Sequence, residues 1–289
     1  MNNRARGILS PHDLQKPANR ILYALMMLVI ALMVCTMLYP ILITFFNAFK
    51  ENREVISFPP TFLPTKWVWG NFEKGWVYID LLKYVKNTLL IFVGNIVSII
   101  FILGMAAYSL SKLRLPKRRW IVLYFMTTLF IPSTTYIIPN FINLRDLGLI
   151  NTFWAFWLPA AGSAFYLFVI KTFFDDIHNE LLEAARVAGA SEFRSYLQIV
   201  LPLSVPIFAT LSIFVFASAW NDWFWPSLVL NGEKYPLATA IYRFVIQARR
   251  LDLNIRFAIL SIVMVPPIVL FLFFQKFVMR GLQLTGLKG

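Results

Sequence analysis

The residues of this chain that could do chemistry are few, and their spacing brings none of them into a reactive set. Histidine occurs twice, at His12 and His178, and neither belongs to a His-Glu-x-x-His pair that would hold zinc. No Gly-x-Ser-x-Gly elbow presents a nucleophilic serine. The single cysteine, Cys35, allows neither an internal disulfide nor a thiolate metal cluster and reads as a small apolar side chain. Gly281 and Gly286 have the separation of a phosphate-binding loop, but Leu287 follows where a lysine would reach the phosphates. The expectation is a chain with no catalytic residues, no metal ligands and no cofactor of its own; if it works with ATP, another subunit binds it. The one stretch with a different character is "NELLEAARVAGASEFRSYLQIVLPLSVP", residues 179–206, which places charges and a glycine between two strongly apolar segments.

Those apolar segments dominate the sequence. Apolar residues make up 59% of the 289 and charged residues 14%, against about 45–50% and about 25% in a soluble domain. Mean hydropathy is +0.67. Uncharged windows run Ile21–Phe46, Thr88–Leu110, Trp120–Leu144, Leu147–Ile170, Ser195–Asn221 and Phe257–Gln275. A bilayer core of about 30 Å takes roughly 20 apolar residues in a helix. Backbone groups in lipid must be satisfied within the segment, and none of these runs has the short alternating pattern of a barrel strand. The expected fold is an all-α integral membrane protein with six transmembrane helices. The first window is too long for a signal-peptide core and no cleavage site follows it, so it reads as a retained anchor.

Basic residues set the expected orientation. Arg4, Arg6, Lys16 and Arg20 precede the first window, and "SKLRLPKRR" follows the second with five basic residues and no acid. Both belong on the cytoplasmic side, which puts both termini inside; the longer outer loops, about 47–87 and 229–256, also carry basic residues but constrain orientation less. The net charge of +13 needs only anionic lipid as its partner, and no nucleic acid. The expected organisation is a cytoplasmic tail over 1–20, a transmembrane domain over 21–280 with a cytoplasmic helix pair at about 174–204, and a tail over 281–289.

Within that helix pair, Ile177, Leu181, Ala184, Ala185 and Ala188 recur at helical spacing as a narrow apolar stripe, with Glu180, Glu183 and Arg186 off it. Gly189 permits a left-handed helix stop. Ser191 can cap a second helix with Glu192 in its first turn. Phe193, Leu197 and Val200 form the second stripe, and Pro202 and Pro206 precede the fifth membrane helix. Such a knob suits either the membrane surface or a protein groove. Its five acids between Asp175 and Glu192 and its small-residue stripe favour the groove.

The spacing Glu183-Ala184-Ala185, Gly189, Ile199-x-Leu201-Pro202 resembles the EAA signature of membrane subunits in binding-protein-dependent ABC importers. "IPSTTYIIPNFINLRDLGLINTFWAFWLP" (131–159), "AWNDWFWPSLVL" (219–230) and the terminal "RGLQLTGLKG" resemble carbohydrate-importer permeases of the MalG type. Ala188 departs from the pattern, since relatives commonly carry aspartate there. The resemblance implies a permease subunit in the cytoplasmic membrane of a bacterium or archaeon. Its partners would be a second, similar but different permease chain, two cytoplasmic ATP-binding subunits holding ATP and Mg, an extracytoplasmic solute-binding protein, and a sugar or oligosaccharide as solute. It also implies roles in ATPase coupling: Glu183 as a charged contact, Ala184, Ala185 and Gly189 for close approach, and Ile199, Leu201 and Pro202 for fixing the knob to the fifth helix.

The interior is less specific. Asp222 lies among Trp220, Trp223 and Trp225 near the outer end of the fifth helix, where it serves either as an interfacial anchor or, with Trp220 and Asn221, as an outer gate or solute contact. Asn95, Tyr136 and Asn140 either line a translocation path or hold helices together. Pro132, Pro139, Pro159, Pro266 and Pro267 mark kinks. Trp67, Trp69, Trp76 and Tyr78 of the first outer loop suit belt anchoring or an external docking surface. Two other classes stand against the importer subunit: an energy-independent channel or carrier, and a membrane enzyme.

Overall fold

The computed structural model describes residues 17–248 and 250–286, with side chains to Phe273. Residues 1–16 of the tail expected over 1–20, with His12, and residues 287–289, with Leu287, lie outside the described residues. Every regular element among those described is helical. In chain order they are α1 (Pro17–Ala48), α2 (Asn52–Val55), α3 (Gly70–Tyr78), α4 (Leu81–Ser98), α5 (Gly104–Lys112), α6 (Arg118–Thr128), α7 (Ile137–Asp146), α8 (Trp154–Ala160), α9 (Ala164–Asp175), α10 (Asn179–Val187), α11 (Glu192–Ser195), α12 (Leu201–Leu203), α13 (Val205–Asn221), α14 (Phe224–Val229), α15 (Leu237–Ile241) and α16 (Leu253–Gly286). Wider π-type turns join α4 to α5 at Ile99–Leu103 and α11 to α12 at Tyr196–Val200.

Among the described residues, three unbroken helices are long and apolar enough to cross a membrane: Pro17–Ala48, Leu81–Lys112 and Leu253–Phe273. Three further stretches reach that length only as bent pairs: Arg118–Thr128 with Ser133–Asp146 at 92°, Trp154–Ala160 with Ala164–Asp175 at 47°, and Glu192–Leu203 with Val205–Asn221 at 75°. The bends follow from local chemistry. Pro132 takes φ −57° and ψ 135°, because proline offers no N–H and disfavours a helical residue before it. Ser163 is extended and its Oγ accepts from the Tyr166 N–H at 3.4 Å, restarting the chain as α9. Pro206 has no N–H to extend the preceding turn across Ser204. The apolar window expected to begin a helix at Leu147 does not do so. Gly148, at φ +69°, closes α7 instead, with its N–H on the Arg145 carbonyl at 2.9 Å and that of Leu149 on the Leu144 carbonyl at 2.8 Å.

The chain divides into two compact units. In the first (1–77 and 251–263), α1 carries its apolar surface exposed along its length, a surface suited to lipid or another helix. After α1 the chain closes on a polar knot. Lys50 is 2% exposed and its Nζ donates to the Thr61 carbonyl at 2.5 Å. Asn71 Nδ2 donates to the carbonyls of Ala48 and Lys50, and Asn254 Nδ2 to Lys50 O and Asn71 Oδ1. Glu54 accepts from the Thr61 hydroxyl and from Thr65 N–H and Oγ. Burial raises its pKa, but these hydrogen bonds and Lys50 outweigh that and leave it below the usual carboxylate range.

In the second unit (78–250 and 264–289), the described residues form two apolar clusters. Ile99, Leu103, Ala107, Leu167, Ile170, Phe174, Phe208 and Leu211 unite α5, α9 and α13. Ile91, Leu144, Ala155, Phe156, Ala219 and Val229 unite α4, α7, α8, α13 and α14. α4 packs on α8 through Gly94, where a Cβ would overlap the Trp157 indole, whose Nε1 donates to the Leu90 carbonyl at 3.2 Å.

Candidate functional site

The candidate site is the segment between α9 and α13, and each of its ends is tied to α5. On the α9 side, Lys112 Nζ donates to the Ile177 carbonyl at 2.5 Å and to Asn179 Oδ1 at 3.0 Å. Ser111 Oγ donates to Asp175 Oδ1 at 2.6 Å. Lys171 and Arg118 face the same carboxylate at 2.6 and 3.8 Å. Cations gathered at a helix C-terminus complement its exposed carbonyls, so the chain leaves α9 in a fixed direction.

α10 ends as its sequence dictates. Gly189 takes φ +80°, its N–H donating to the Arg186 carbonyl at 3.0 Å while Ala190 N–H reaches the Ala185 carbonyl at 2.9 Å. This is the paired 6→1 and 5→2 closure that favours glycine at the left-handed position. Ser191 then caps α11, its Oγ accepting from Arg194 N–H at 3.3 Å. The turn is clamped across its mouth. Arg186 Nε and Nη2 lie 2.7 and 3.3 Å from Glu192 Oε1 and Oε2, a two-point fork that fixes geometry as well as charge. Tyr108 of α5 donates its hydroxyl to Glu192 Oε2 at 2.5 Å. The Arg186 guanidinium, then the Tyr108 hydroxyl, hold the Glu192 carboxyl below the usual range, and the hydrogen bonds to Glu192 raise Arg186 in turn.

Tyr196 fastens the second arm. It is 1% exposed, its ring packs 5.7 Å from that of Tyr108, and its hydroxyl donates to the Ile100 carbonyl at 2.5 Å. Gly104 makes room for that hydroxyl, since a Cβ there would overlap it. The accepting carbonyl lies within the π-type turn, where the normal helical ladder is interrupted.

The stripe expected on α10 is split by the structure. Leu182, not counted in that stripe, is the residue that enters the core, at 1% exposed. Leu181, Ala184 and Ala188 are exposed, and Ile177 and Ala185 half-buried. In so short a helix two adjacent faces are both apolar, and Tyr108, Phe174 and Tyr196 decide which turns inward. The second stripe divides too: Val200 is buried, Leu197 half-buried and Phe193 58% exposed. The outer surface of the knob therefore presents Leu181, Glu183, Ala184, Val187 and Phe193, with Val187 at 91% exposure. Ile199 and Leu201 lie against the first apolar cluster and Pro202 is exposed. Ser204, whose Oγ donates to the Val200 carbonyl at 2.6 Å, joins the arm to α13.

The residues expected along a path are not gathered into one place. Trp220 is 6% exposed and stacked on Phe216 at 5.1 Å, so it belongs to the core of its own chain. Asn221 is exposed and donates to the Ala217 carbonyl. Asp222 shapes the chain: its Oδ1 accepts from the N–H groups of Phe224 and Trp225, both at 3.1 Å, turning α13 into α14. Tyr136 is exposed at the bend between α6 and α7. Asn140 lines a cleft with Asn143, Asp146 and Leu158, and Asn95 lines a different cavity, between α4, α8 and α13.

Residues 98–283 match the family of binding-protein-dependent transport system inner membrane components. The chain is 28% identical over 246 residues to the diacetylchitobiose uptake system permease protein NgcG of Streptomyces coelicolor, covering 82% of this chain and 80% of the relative. It is 30% identical over 262 residues to the sn-glycerol-3-phosphate transport system permease protein UgpE of Yersinia pestis, covering 86% and 92%. A solved chain of a bacterial ABC transporter involved in the import of the acidic polysaccharide alginate superposes with a TM-score of 0.80 at 25% identity, over 90% of this chain and 98% of that one.

Proposed function

This chain belongs to the family of binding-protein-dependent transport system inner membrane components and is a multi-pass permease subunit of an ABC importer, and from that premise we propose how it works. The bent pairs Arg118–Thr128 with Ser133–Asp146 and Trp154–Ala160 with Ala164–Asp175 each cross the membrane as one span, and with Pro17–Ala48, Leu81–Lys112, Val205–Asn221 and Leu253–Phe273 they give six crossings with both termini in the cytoplasm. The segment 174–204 then lies in the cytoplasm and docks on an ATP-binding subunit. ATP hydrolysis, with its Mg, belongs to two such partner subunits. A second, different permease chain completes the membrane core, and an extracytoplasmic binding protein delivers a sugar or oligosaccharide.

The observation that carries this reading is the two-sidedness of the knob. Leu182, Tyr196 and Val200 bury one side in the bundle, and the arm is tied at three places to α5 and the π-type turn before it: Lys112 on Ile177 and Tyr108 on Glu192 from α5, and Tyr196 on Ile100 of the turn. The other side offers apolar and acidic side chains that nothing covers among the described residues. A push on that outer side is transmitted to α5, α9 and α13 together, because a short element closed at Gly189, capped at Ser191 and held by buried anchors does not dissipate it in local bending. Glu183 contributes charge to the docking face, and Ala184, Ala185 and Gly189 allow close approach. Ile199, Leu201 and Pro202 join the arm to α13.

The test is copurification of the tagged chain with its associates, followed by solute uptake and ATP hydrolysis in proteoliposomes. Glu183→Lys reverses an exposed charge and leaves the buried anchors alone. The protein should insert at wild-type levels, with uptake reduced at least about tenfold relative to ATP hydrolysed. Unchanged uptake per ATP would contradict the docking role.

A further inference from the structure

The cavity beside Asn95 carries a chemical signature that the permease reading does not use. Asn95 sits midway along the unbroken helix Leu81–Lys112, about 21 Å from Leu81 and about 26 Å from Lys112 at 1.5 Å per residue. In a hydrocarbon core of about 30 Å, that is near the middle of the membrane. Its Oδ1 is buried and has no hydrogen-bond partner among the described residues. An orphaned acceptor in a bundle is costly, and native structures supply it with a water or a ligand. Asn95 borders a cavity of about 200 Å³, large enough for such an occupant. Its walls bring three aromatic side chains, Phe156, Tyr166 and Trp225, together with the small polar Asn95 and Ser218, and no Asp, Glu, Lys, Arg or His lines it.

That combination discriminates between solutes. A neutral sugar has apolar C–H faces that lie on aromatic rings and hydroxyls that both donate and accept. The Asn95 amide complements a hydroxyl through either its oxygen or, after a half-turn, its nitrogen. A carboxylate or phosphate instead requires guanidinium, ammonium or clustered backbone N–H groups, and stripping its water without them is prohibitive. The cavity is smaller than the roughly 300–1,000 Å³ of sites that enclose a whole ligand, so this chain supplies one wall of a site. We propose that the Asn95 cavity receives an uncharged sugar ring of the solute, with a ring hydroxyl on the Asn95 amide, and that the importer containing this chain is selective for neutral over acidic saccharides. This rests on the permease reading above and narrows its solute class.

The experiment uses the complete importer, copurified with its partners and reconstituted in proteoliposomes. Uptake is measured with neutral probes (cellobiose, maltotriose, N,N′-diacetylchitobiose) and anionic ones (digalacturonate, glycerol 3-phosphate). Uptake of a neutral probe should exceed that of every anionic probe. Asn95→Leu should lower kcat/KM for that probe about 3- to 10-fold, the value of one uncharged hydrogen bond, and Ser218→Ala, which leaves less to repack, about 2- to 5-fold. Uptake restricted to anionic probes, or of none of the probes while ATP is hydrolysed, would overturn the inference and leave the permease reading intact. So would neutral uptake unchanged in both variants. Failure of the chain to copurify with any ATP-binding subunit would instead strike the permease reading.

Discussion

The contact between Tyr108 and Glu192 gives the sharpest stability prediction. Tyr108 is 3% exposed and offers its hydroxyl to an ionised acceptor at 2.5 Å. A hydrogen bond to a charged group contributes about 1.5–3 kcal/mol. Glu192 is also forked by Arg186, but both side chains are about two-fifths exposed, and that pair contributes about 0.2–1 kcal/mol. Glu192→Gln keeps the shape, removes the charge and weakens both contacts, for a loss of about 1.5–3 kcal/mol. Tyr108→Phe removes one donor and leaves Glu192 on Arg186, for about 1–2 kcal/mol. In the double variant the shared contact is lost once, so the two losses should fall short of additivity by about 1 kcal/mol. Reversible SDS titration in mixed micelles of the wild type, both single variants and the double variant measures this. Losses that add to within about 0.5 kcal/mol would refute the idea that Tyr108 and Glu192 act as one tie between α5 and the knob.

Three further outcomes are expected. Leu182→Ala should destabilise the fold by about 2–5 kcal/mol in the same titration, whereas Leu181→Ala, on the outer face, should cost less than about 0.5 kcal/mol while lowering recovery of the ATP-binding subunits in a pull-down. Gly104→Ala forces a methyl onto the Tyr196 hydroxyl and should cost about 1–3 kcal/mol, with the Gly104→Ala, Tyr196→Phe double variant more stable than Gly104→Ala alone. Glu192, depressed by Arg186 and Tyr108, contributes stability that is complete above its unfolded pKa of about 4.3 and is lost as pH falls through the lower folded value. Protease protection of the 186–192 turn should therefore be constant from about pH 5 to 8, weaken below about pH 4, and lose that pH dependence in Glu192→Gln.

The character of the molecule and the location of its knob were written in the linear chain. Long uncharged runs announce lipid, because no water-soluble core could hide so much apolar surface. Gly189 and Ser191 specify a helix stop and a helix start by local chemistry alone, and the structure shows both, with the bonds those residue types supply. Pro132 and Pro206 likewise mark where helices bend, since a missing N–H is a property of the residue and not of its neighbours. What the chain order could not reveal were partnerships across it. Leu181 and Leu182 are adjacent, alike in chemistry, and assigned opposite fates only by Tyr108, Phe174 and Tyr196. Glu192 gave no sign of Tyr108, 84 residues away, nor Gly104 of the hydroxyl it accommodates. Nor did the sequence show that Trp220 stacks on Phe216 in the core or that the Asp222 carboxylate turns α13 into α14. Local backbone rules act over a few residues and can be read in order; the choice of which apolar face is buried, and which polar atom is left without a partner beside a cavity, is made by side chains that only the folded bundle brings together.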